Sequence, residues 1–163
     1  MASTEREALT TEEKVEKMWE VFMRPPQLKV KRLRDGVKIP AYQTVGSSGM
    51  DVAACEDTVL AANECGKVRT GLAMQIPDGY EVQVRPRSGV SLRTSLIIPN
   101  SPGTIDSDYT GEICIIMRNL SAVAHTIKAG ERIAQLVVAR VSRAELILVD
   151  ELSATARGSG GFG

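Results

Sequence analysis

The chain has 163 residues, of which 20 are acidic and 20 are basic, so its formal net charge is zero. This balance excludes a global field that would attract nucleic acid or an anionic membrane, and no apolar run is long enough to span a bilayer. Three cysteines without a C-x-x-C spacing and a single histidine, His125, argue against a disulfide framework and a zinc site. We therefore expect a cytoplasmic protein with reduced thiols, or a nuclear one in a eukaryotic host.

Residues 1–27 predict a helical extension that precedes the main domain. Thr10 and Glu13 have the spacing of a capping box, and Pro25 and Pro26 end the helix. Between them, an apolar face recurs at helical spacing: Val15, Met18, Trp19 and Phe22. We expect this face to pack on the protein's own body or on a sister subunit. Docking to a different protein is the alternative.

Residues 28–150 show the pattern of a single β domain. Extended segments are predicted at 28–33, 38–42, 50–54, 59–60, 66–70, 72–76, 80–85, 96–98, 112–118, 122–127, 133–141 and 145–149. Many short strands with Gly and Pro turns, and no β-α-β rhythm, predict an all-β sandwich, jelly roll or closed barrel. The last residues, 151–163, are glycine-rich and predict a flexible arm.

A ten-residue segment, Pro102–Gly111, lies between two strand-like runs near the middle of the chain. It predicts a hairpin whose tip displays three polar side chains: Asp106, Asp108 and Tyr109. Together with the apolar Ile105 beside them, these side chains suit a pocket for a flat polar ligand. On chemistry alone, a surface hairpin with polar side chains at its tip and no bound ligand explains the same residues equally well.

Two further turns carry residues that a β scaffold does not need. Arg87, Ser88 and Gly89 follow a predicted strand, where turn amides and a hydroxyl would form a nest for phosphate oxygens. An ordinary exit from a strand is the alternative. Asp51 stands at a strand entrance and could hold the water shell of Mg²⁺, although an isolated turn aspartate is the commoner explanation.

Polar residues also stand out in the last third of the chain. Gln135 lies between apolar neighbours and therefore needs a specific hydrogen-bond partner. Arg157 and Phe162 lie in the glycine-rich arm, where an arginine can neutralise phosphate and a phenyl ring can stack on a base. A disordered terminus is the alternative for these two.

Five segments, in this order and at this spacing, resemble the five motifs of the trimeric dUTPase family. They are Ser48–Asp51, Arg87–Gly89, Pro102–Gly111, Gly130–Leu136 and Arg157–Gly163. The resemblance covers about residues 28–163, and its central segment is the most specific. It implies a jelly-roll-like distorted β-barrel that forms a homotrimer, with each active site at a subunit interface. The arm, 151–163, would close over a neighbouring subunit's site.

The resemblance implies hydrolysis of dUTP to dUMP and pyrophosphate, which limits uracil in DNA and supplies dUMP for thymidylate synthesis. Asp106 resembles the family's base, which activates a water for attack on the α-phosphorus. Tyr109 resembles the residue that packs on the deoxyribose and leaves no space for a 2′-hydroxyl. Asn100 and the hairpin backbone would read the uracil edge, in a slot lined by Gly103, Thr104, Ile105 and the main chain of Cys114.

The remaining motifs imply contacts to the triphosphate and its metal. The positions that resemble phosphate-binding ones are Arg87, Ser88, Gly89 and Gln135. Asp51 would bind Mg²⁺ through water, together with the substrate triphosphate. In the arm, Phe162 would stack on uracil and Arg157 would meet the γ-phosphate, and Gly163 belongs to the same binding segment.

Two other functions compete with this one. A dCTP deaminase has the same broad fold but needs a catalytic glutamate near the pyrimidine amino group, where this chain has Asp106–Tyr109. A non-catalytic nucleotide-binding β trimer would not need Asp106, Arg157 or Phe162. The chain offers no Ser–His or Cys–His pair but does offer a carboxylate, arginines and turn amides, which suit phosphoryl chemistry.

Overall fold

A computed structural model describes residues 10–161, without the side chains at positions 18 and 20–23. Within this range there are two helices, α1 Thr11–Met23 and α2 Ser88–Arg93. The strands are β1 Lys29–Arg32, β2 Ala41–Tyr42, β3 Met50–Ala53, β4 Thr58–Leu60, β5 Cys65–Gln75, β6 Tyr80–Arg85, β7 Leu96–Ile97, β8 Gly103–Ile105, β9 Glu112–Asn119, β10 His125–Ile127 and β11 Arg132–Arg140. The predicted all-β class is therefore confirmed.

The strands form two larger sheets and a small one, and every pairing is antiparallel. One sheet has the order β1-β5-β9-β7, the second has the order β2-β3-β11-β6-β8, and β10 pairs with β4. Alternate residues point into the space between the sheets, as in β9, where Ile113, Ile115 and Met117 are buried. Burying each such side chain stabilises the fold by about 1.5–3 kcal/mol.

The central segment does not form the simple hairpin that the sequence predicts. β7 and β9 do pair, with Leu96 opposite Asn119. Between them, however, β8 joins the other sheet, with Gly103 opposite Val84 on β6. The buried side chain of Ile105 fixes this crossing, because it belongs to the core between the sheets.

Three other elements of the structure differ from the sequence analysis. The predicted segments 66–70 and 72–76 are one strand, β5, with an irregular register between Arg69 and Ala73. Helix α2 was not predicted, because six residues are too few to show a helical period. The predicted strand at 145–149 is wrong for the single chain, in which this segment forms no strand and Leu146 and Leu148 are 93% and 98% exposed.

The N-terminal helix begins with the predicted capping box. The Glu13 N–H donates to Thr10 Oγ1 at 3.2 Å, and the Thr10 N–H donates to the Glu13 carboxylate at 2.8 Å. Val15 and Trp19 are 45% and 55% exposed, so they do not bury themselves on the body of this chain. Packing of this face on a sister subunit stays a prediction. No helix in the described range has the length and apolar character needed to cross a membrane.

Candidate active site

A cavity of about 340 Å³ lies where β8 and the start of β9 separate, and we call it the β8–β9 cavity. Its volume falls in the range of small-molecule sites. The predicted site residues that line it are Asn100, Gly103, Thr104, Ile105, Asp106, Tyr109 and Cys114. The structure thus brings together every predicted base- and sugar-contacting residue within the described range.

The walls of this cavity are strand edges. β8 is the last strand of its sheet, so its backbone has hydrogen-bonding groups on the side away from β6. β9 pairs with β7 only at Arg118 and Asn119, which leaves the preceding residues paired with β5 alone. A flat ligand with donors and acceptors on its rim can therefore bind backbone groups of both strands.

Tyr109 folds back across the mouth of the cavity. Its hydroxyl donates to the backbone carbonyl of Glu112 at 2.8 Å, and its N–H donates to the Asp106 carbonyl at 3.2 Å. A Cβ atom at Gly111 would lie only 2.7 Å from the Tyr109 hydroxyl oxygen, so this fold-back requires glycine there. The ring remains 46% exposed and offers a face to a bound ligand.

Asp106 stands at the rim, between the β8–β9 cavity and a second cavity of about 630 Å³. Within residues 10–161, no hydrogen bond or ion pair engages its carboxylate. Both oxygens are therefore available to water. An exposed carboxylate next to a ligand-sized cavity can orient a water and accept its proton.

Cys114 lines the cavity, but its thiol is not a reactive one. Burial raises the pKa of the Cys114 thiol, and Glu112 raises it further. A thiol with a raised pKa is protonated at neutral pH and is a poor nucleophile. Nothing at this position therefore favours covalent catalysis.

Two predicted residues, Asp51 and Arg87, form with Arg132 what we call the arginine cluster. The Asp51 carboxylate accepts from Arg87 Nε at 2.8 Å and Nη2 at 3.1 Å, and from Arg132 Nη1 at 2.9 Å. The Asp51 side chain is only 13% exposed. A two-point arginine–carboxylate pair of this kind holds the guanidinium in a fixed orientation.

Gln135 has the partner that its surroundings predict. Its side-chain amide donates to the Pro86 carbonyl at 2.8 Å, and its strand position lies between Asp51 and Arg85 in the sheet. This bond fastens the turn from which α2 starts. Ser88 and Gly89 open that helix, and their amides have no acceptor within it.

The charge of the arginine cluster decides which ions it fits. Two guanidinium groups surround one carboxylate, so the cluster is positive overall. Within the described range, no group of three or more His, Cys, Asp or Glu residues could hold a metal. The cluster does not fit a resident cation. It fits a polyanion, including one that carries Mg²⁺ on its own phosphate oxygens.

The two groups of residues do not line a common cavity in the single chain. None of the phosphate- and metal-binding predictions lines the β8–β9 cavity: Asp51, Arg87, Ser88, Gly89 and Gln135. In the arm, Arg157 donates to the Gly160 carbonyl at 2.7 Å. Phe162 and Gly163 lie outside the described residues.

Three charged residues at the two sites were missed by the sequence analysis. Lys67 and Glu112 line the β8–β9 cavity, and Arg132 completes the arginine cluster. Arg132 lies within a recognised motif, so its charge was a usable signal. For Lys67 and Glu112, the signal is the pairing of β5 with β9, which the sequence alone does not reveal.

The fold and its two sites define a β-barrel protein that can bind a flat polar group and a polyanion. The flat group would enter the cavity between the strand edges, and the polyanion would bind the arginine cluster. The dUTPase family model matches residues 35–163. The chain therefore belongs to the dUTPase family. Helix α1 lies before the matched range.

Similar proteins and structures agree with this assignment. The deoxyuridine 5′-triphosphate nucleotidohydrolase of Nautilia profundicola is 50% identical over 137 residues, which are 84% of this chain and 96% of that protein. The protein of the same name from Zymomonas mobilis is 48% identical over 139 residues, which are 84% of this chain and 95% of that protein.

Among solved structures, the dUTPase of Staphylococcus bacteriophage 80alpha with dUpNHpp superposes with a TM-score of 0.78 at 30% identity. The superposition covers 83% of this chain and 96% of the phage chain. A mutant dUTPase from phage phi11 of S. aureus, whose structure describes the coordination of a structural Mg(II) ion, has a TM-score of 0.72 at 28% identity. This second superposition covers 77% of this chain and 97% of the phage chain.

Proposed function

We propose that this protein hydrolyses dUTP to dUMP and pyrophosphate. The observation that carries the proposal is the β8–β9 cavity, which is lined by the predicted uracil and sugar contacts and has an unengaged Asp106 carboxylate at its rim. The reaction would keep uracil out of DNA and supply dUMP for thymidylate synthesis.

The uracil ring would lie between β8 and β9. Backbone groups on the two strand edges would bind its rim, and the Asn100 amide, which lies over Gly103, would complete the polar wall. The backbone groups of paired strands do not reorient as side chains do, so the slot has a fixed shape. It would reject the 5-methyl group of thymine by size and the amino group of cytosine by its hydrogen-bonding pattern.

The sugar would pack on Tyr109. The ring is half exposed, and its hydroxyl is held by the Glu112 carbonyl. A ribose would place its 2′-hydroxyl against this ring. The chain would therefore select deoxyribonucleotides through shape.

Asp106 would act as general base. It would accept a proton from a water whose oxygen attacks the α-phosphorus in line, while the bond from phosphorus to the pyrophosphate oxygen breaks. The products are dUMP and pyrophosphate, so no covalent intermediate with the protein is needed.

The triphosphate would bind at the arginine cluster. Asp51 orients Arg87 through a two-point contact, and the first-turn amides of Ser88 and Gly89 would bind phosphate oxygens. Gln135 supports this turn through Pro86. When Mg²⁺ is bound on the triphosphate, with Asp51 contacting its water shell, it supplies further charge neutralisation.

A homotrimer would join the two groups of residues. The β8–β9 cavity and the arginine cluster do not share a lining within one chain, and a neighbouring subunit could place its cluster next to this cavity. The exposed Leu146 and Leu148 also suit burial on another subunit. The arm would then close over the site with Arg157, Phe162 and Gly163.

The proposal is tested by pyrophosphate release from dUTP, dCTP, dTTP and UTP in the presence of Mg²⁺. We expect turnover of dUTP with strong rejection of the other three. Ammonia release from dCTP would instead identify a deaminase. Tight nucleotide binding without turnover of any of the four would identify a non-catalytic binding protein.

A further inference from the structure

We propose that Glu112 is a positioning residue that fixes Tyr109 and thereby sets the selection of dUTP over UTP. The inference rests on the proposed function, because that function gives Tyr109 its contact with the sugar. Glu112 directly follows the central motif and was not among the predicted site residues. Three observations support the role.

The first observation is the anchoring of the Glu112 side chain to an irregular part of β5. The register between β5 and β9 shifts between Arg69 and Ala73, and Gly71 within this shift has a φ of +67°. That left-handed backbone turns the Gly71 N–H toward Glu112 Oε1, to which it donates at 2.9 Å. Thr70 adds a bond from its hydroxyl to the Ile113 carbonyl at 2.6 Å.

The second observation is the guanidinium on the other carboxylate oxygen. Arg69 donates to Glu112 Oε2 from Nε at 2.9 Å and from Nη2 at 2.6 Å. The side chain of Glu112 is 17% exposed, so this pair is partly shielded from water. A carboxylate that accepts three hydrogen bonds, two of them from a guanidinium, is held in a fixed orientation and restrains the residue that carries it.

The third observation links this backbone to Tyr109. The Glu112 carbonyl accepts the Tyr109 hydroxyl at 2.8 Å. Within residues 10–161, this is the hydrogen bond that holds the phenol group. The position of the ring therefore depends on where the Glu112 carbonyl lies. The anchored Glu112 side chain restrains that carbonyl, together with the pairing of Glu112 with Ala73 on β5.

Selection against a 2′-hydroxyl requires that the Tyr109 ring stay in one position. If Tyr109 shifts outward by the width of a hydroxyl group, UTP fits. Releasing the Glu112 side chain should therefore change the choice of sugar more than the chemistry at phosphorus.

The test compares kcat/KM for dUTP with kcat/KM for UTP. Removing the anchored carboxylate should reduce this ratio about five- to tenfold in Glu112→Ala, with a smaller fold-change in kcat for dUTP. Glu112→Gln retains an acceptor for Gly71 and should have an intermediate ratio. Glu64→Ala is a matched control, because that carboxylate accepts from the Ala61 N–H in a turn that does not line the cavity. Its ratio should equal that of the wild type.

A double-mutant cycle separates positioning from an independent effect. Tyr109→Phe removes the hydroxyl that Glu112 holds, and the double variant Tyr109→Phe/Glu112→Ala should lose no more selectivity than the worse single variant. The inference would be overturned if the losses of selectivity in the two single variants multiplied in the double variant. A wild-type selectivity ratio in a folded Glu112→Ala protein would also overturn it.

A crystal structure of the Glu112→Ala variant tests the positioning role of Glu112 without a kinetic assay. The inference requires a displaced Tyr109 hydroxyl, and a Tyr109 in its original position would refute it. Lack of dUTP turnover by the wild-type protein would count against the proposed function instead. The two failures are therefore distinguishable.

Discussion

The β8–β9 cavity and the arginine cluster are built by different means. Strand edges form the cavity, and its shape depends on backbone positions and on small residues such as Gly103 and Gly111. Long charged side chains form the arginine cluster, and its shape depends on one carboxylate that orients two guanidinium groups. Recognition of the base should therefore tolerate salt, whereas binding of the phosphates should weaken as ionic strength rises.

The contrast also separates chemistry from binding. The Asp106 carboxylate lies on the cavity side and has no hydrogen-bond partner within residues 10–161, whereas the Asp51 carboxylate accepts three hydrogen bonds from two arginines. Under the proposed function, the two aspartates would have different roles because their hydrogen-bond partners differ. The predictions below test this division, beginning with the largest expected effect.

The largest effect should come from Asp106→Asn. Loss of the general base should lower kcat by about 10²- to 10⁴-fold while binding of a non-hydrolysable dUTP analogue is retained. Steady-state kinetics and calorimetry measure the two quantities. Asp108→Asn is the matched control, because Asp108 does not line the β8–β9 cavity, and its kcat should stay close to wild type. Wild-type kcat in Asp106→Asn would show that a different base acts.

Deleting residues 157–163 should have the next largest effect. Without the closing arm, water enters the site and the positioned substrate is lost, so turnover should fall on the order of tenfold to a hundredfold. Size-exclusion chromatography should show an unchanged oligomer. Ser153→Ala, in the same arm but before the deleted residues, should be fully active. Full activity of the deletion variant would exclude a lid function.

Arg87→Lys should weaken phosphate binding with less effect on kcat. Lysine keeps the charge but cannot make the two-point contact with Asp51, so KM should rise about tenfold, and the rise should be steeper at high salt. Arg85→Lys is the control, because the Arg85 side chain donates to Gln83 on its own strand and not to Asp51. Equal KM values for both variants would contradict the assignment of the arginine cluster to phosphate.

The smallest effect concerns pH and the Arg69–Glu112 pair. Arg69 holds the pKa of the Glu112 carboxyl below its usual value of 4.5, and the Gly71 N–H lowers it further. Because the folded-state pKa is depressed, the pair stabilises the fold fully above that usual value and loses its contribution as pH falls through the lowered pKa. Chemical denaturation should therefore show a smaller acid loss of stability in Glu112→Gln than in the wild type. Identical pH dependence would contradict this linkage.

Much of this molecule could be predicted from local sequence. The alternation in Tyr80–Arg85, the capping box at Thr10 and the motif residues around the β8–β9 cavity are all readable within a few positions. The dUTPase family predicted from the five motifs is confirmed by the family model.

What could not be predicted depends on pairings between distant residues. Arg69 lies 43 positions before Glu112, and Asp51 lies 81 positions before Arg132, so neither contact shows in a local pattern. The crossing of β8 into the second sheet is likewise set by its pairing with β6. The predicted strand at 145–149 was wrong for the single chain, because its apolar residues have no sheet to join there.

The most direct test asks whether each active site takes its two parts from different chains. Asp106→Asn chains keep the arginine cluster, and Arg87→Ala chains keep the β8–β9 cavity, so each variant alone should be nearly inactive. When equal amounts of the two variants are co-expressed, the proposed homotrimers contain both kinds of chain. A head-to-tail arrangement should then restore about a quarter of the sites. Recovery of about a quarter of wild-type activity would support the account. A mixture no more active than its separate variants would contradict it, since each chain would then hold a complete site.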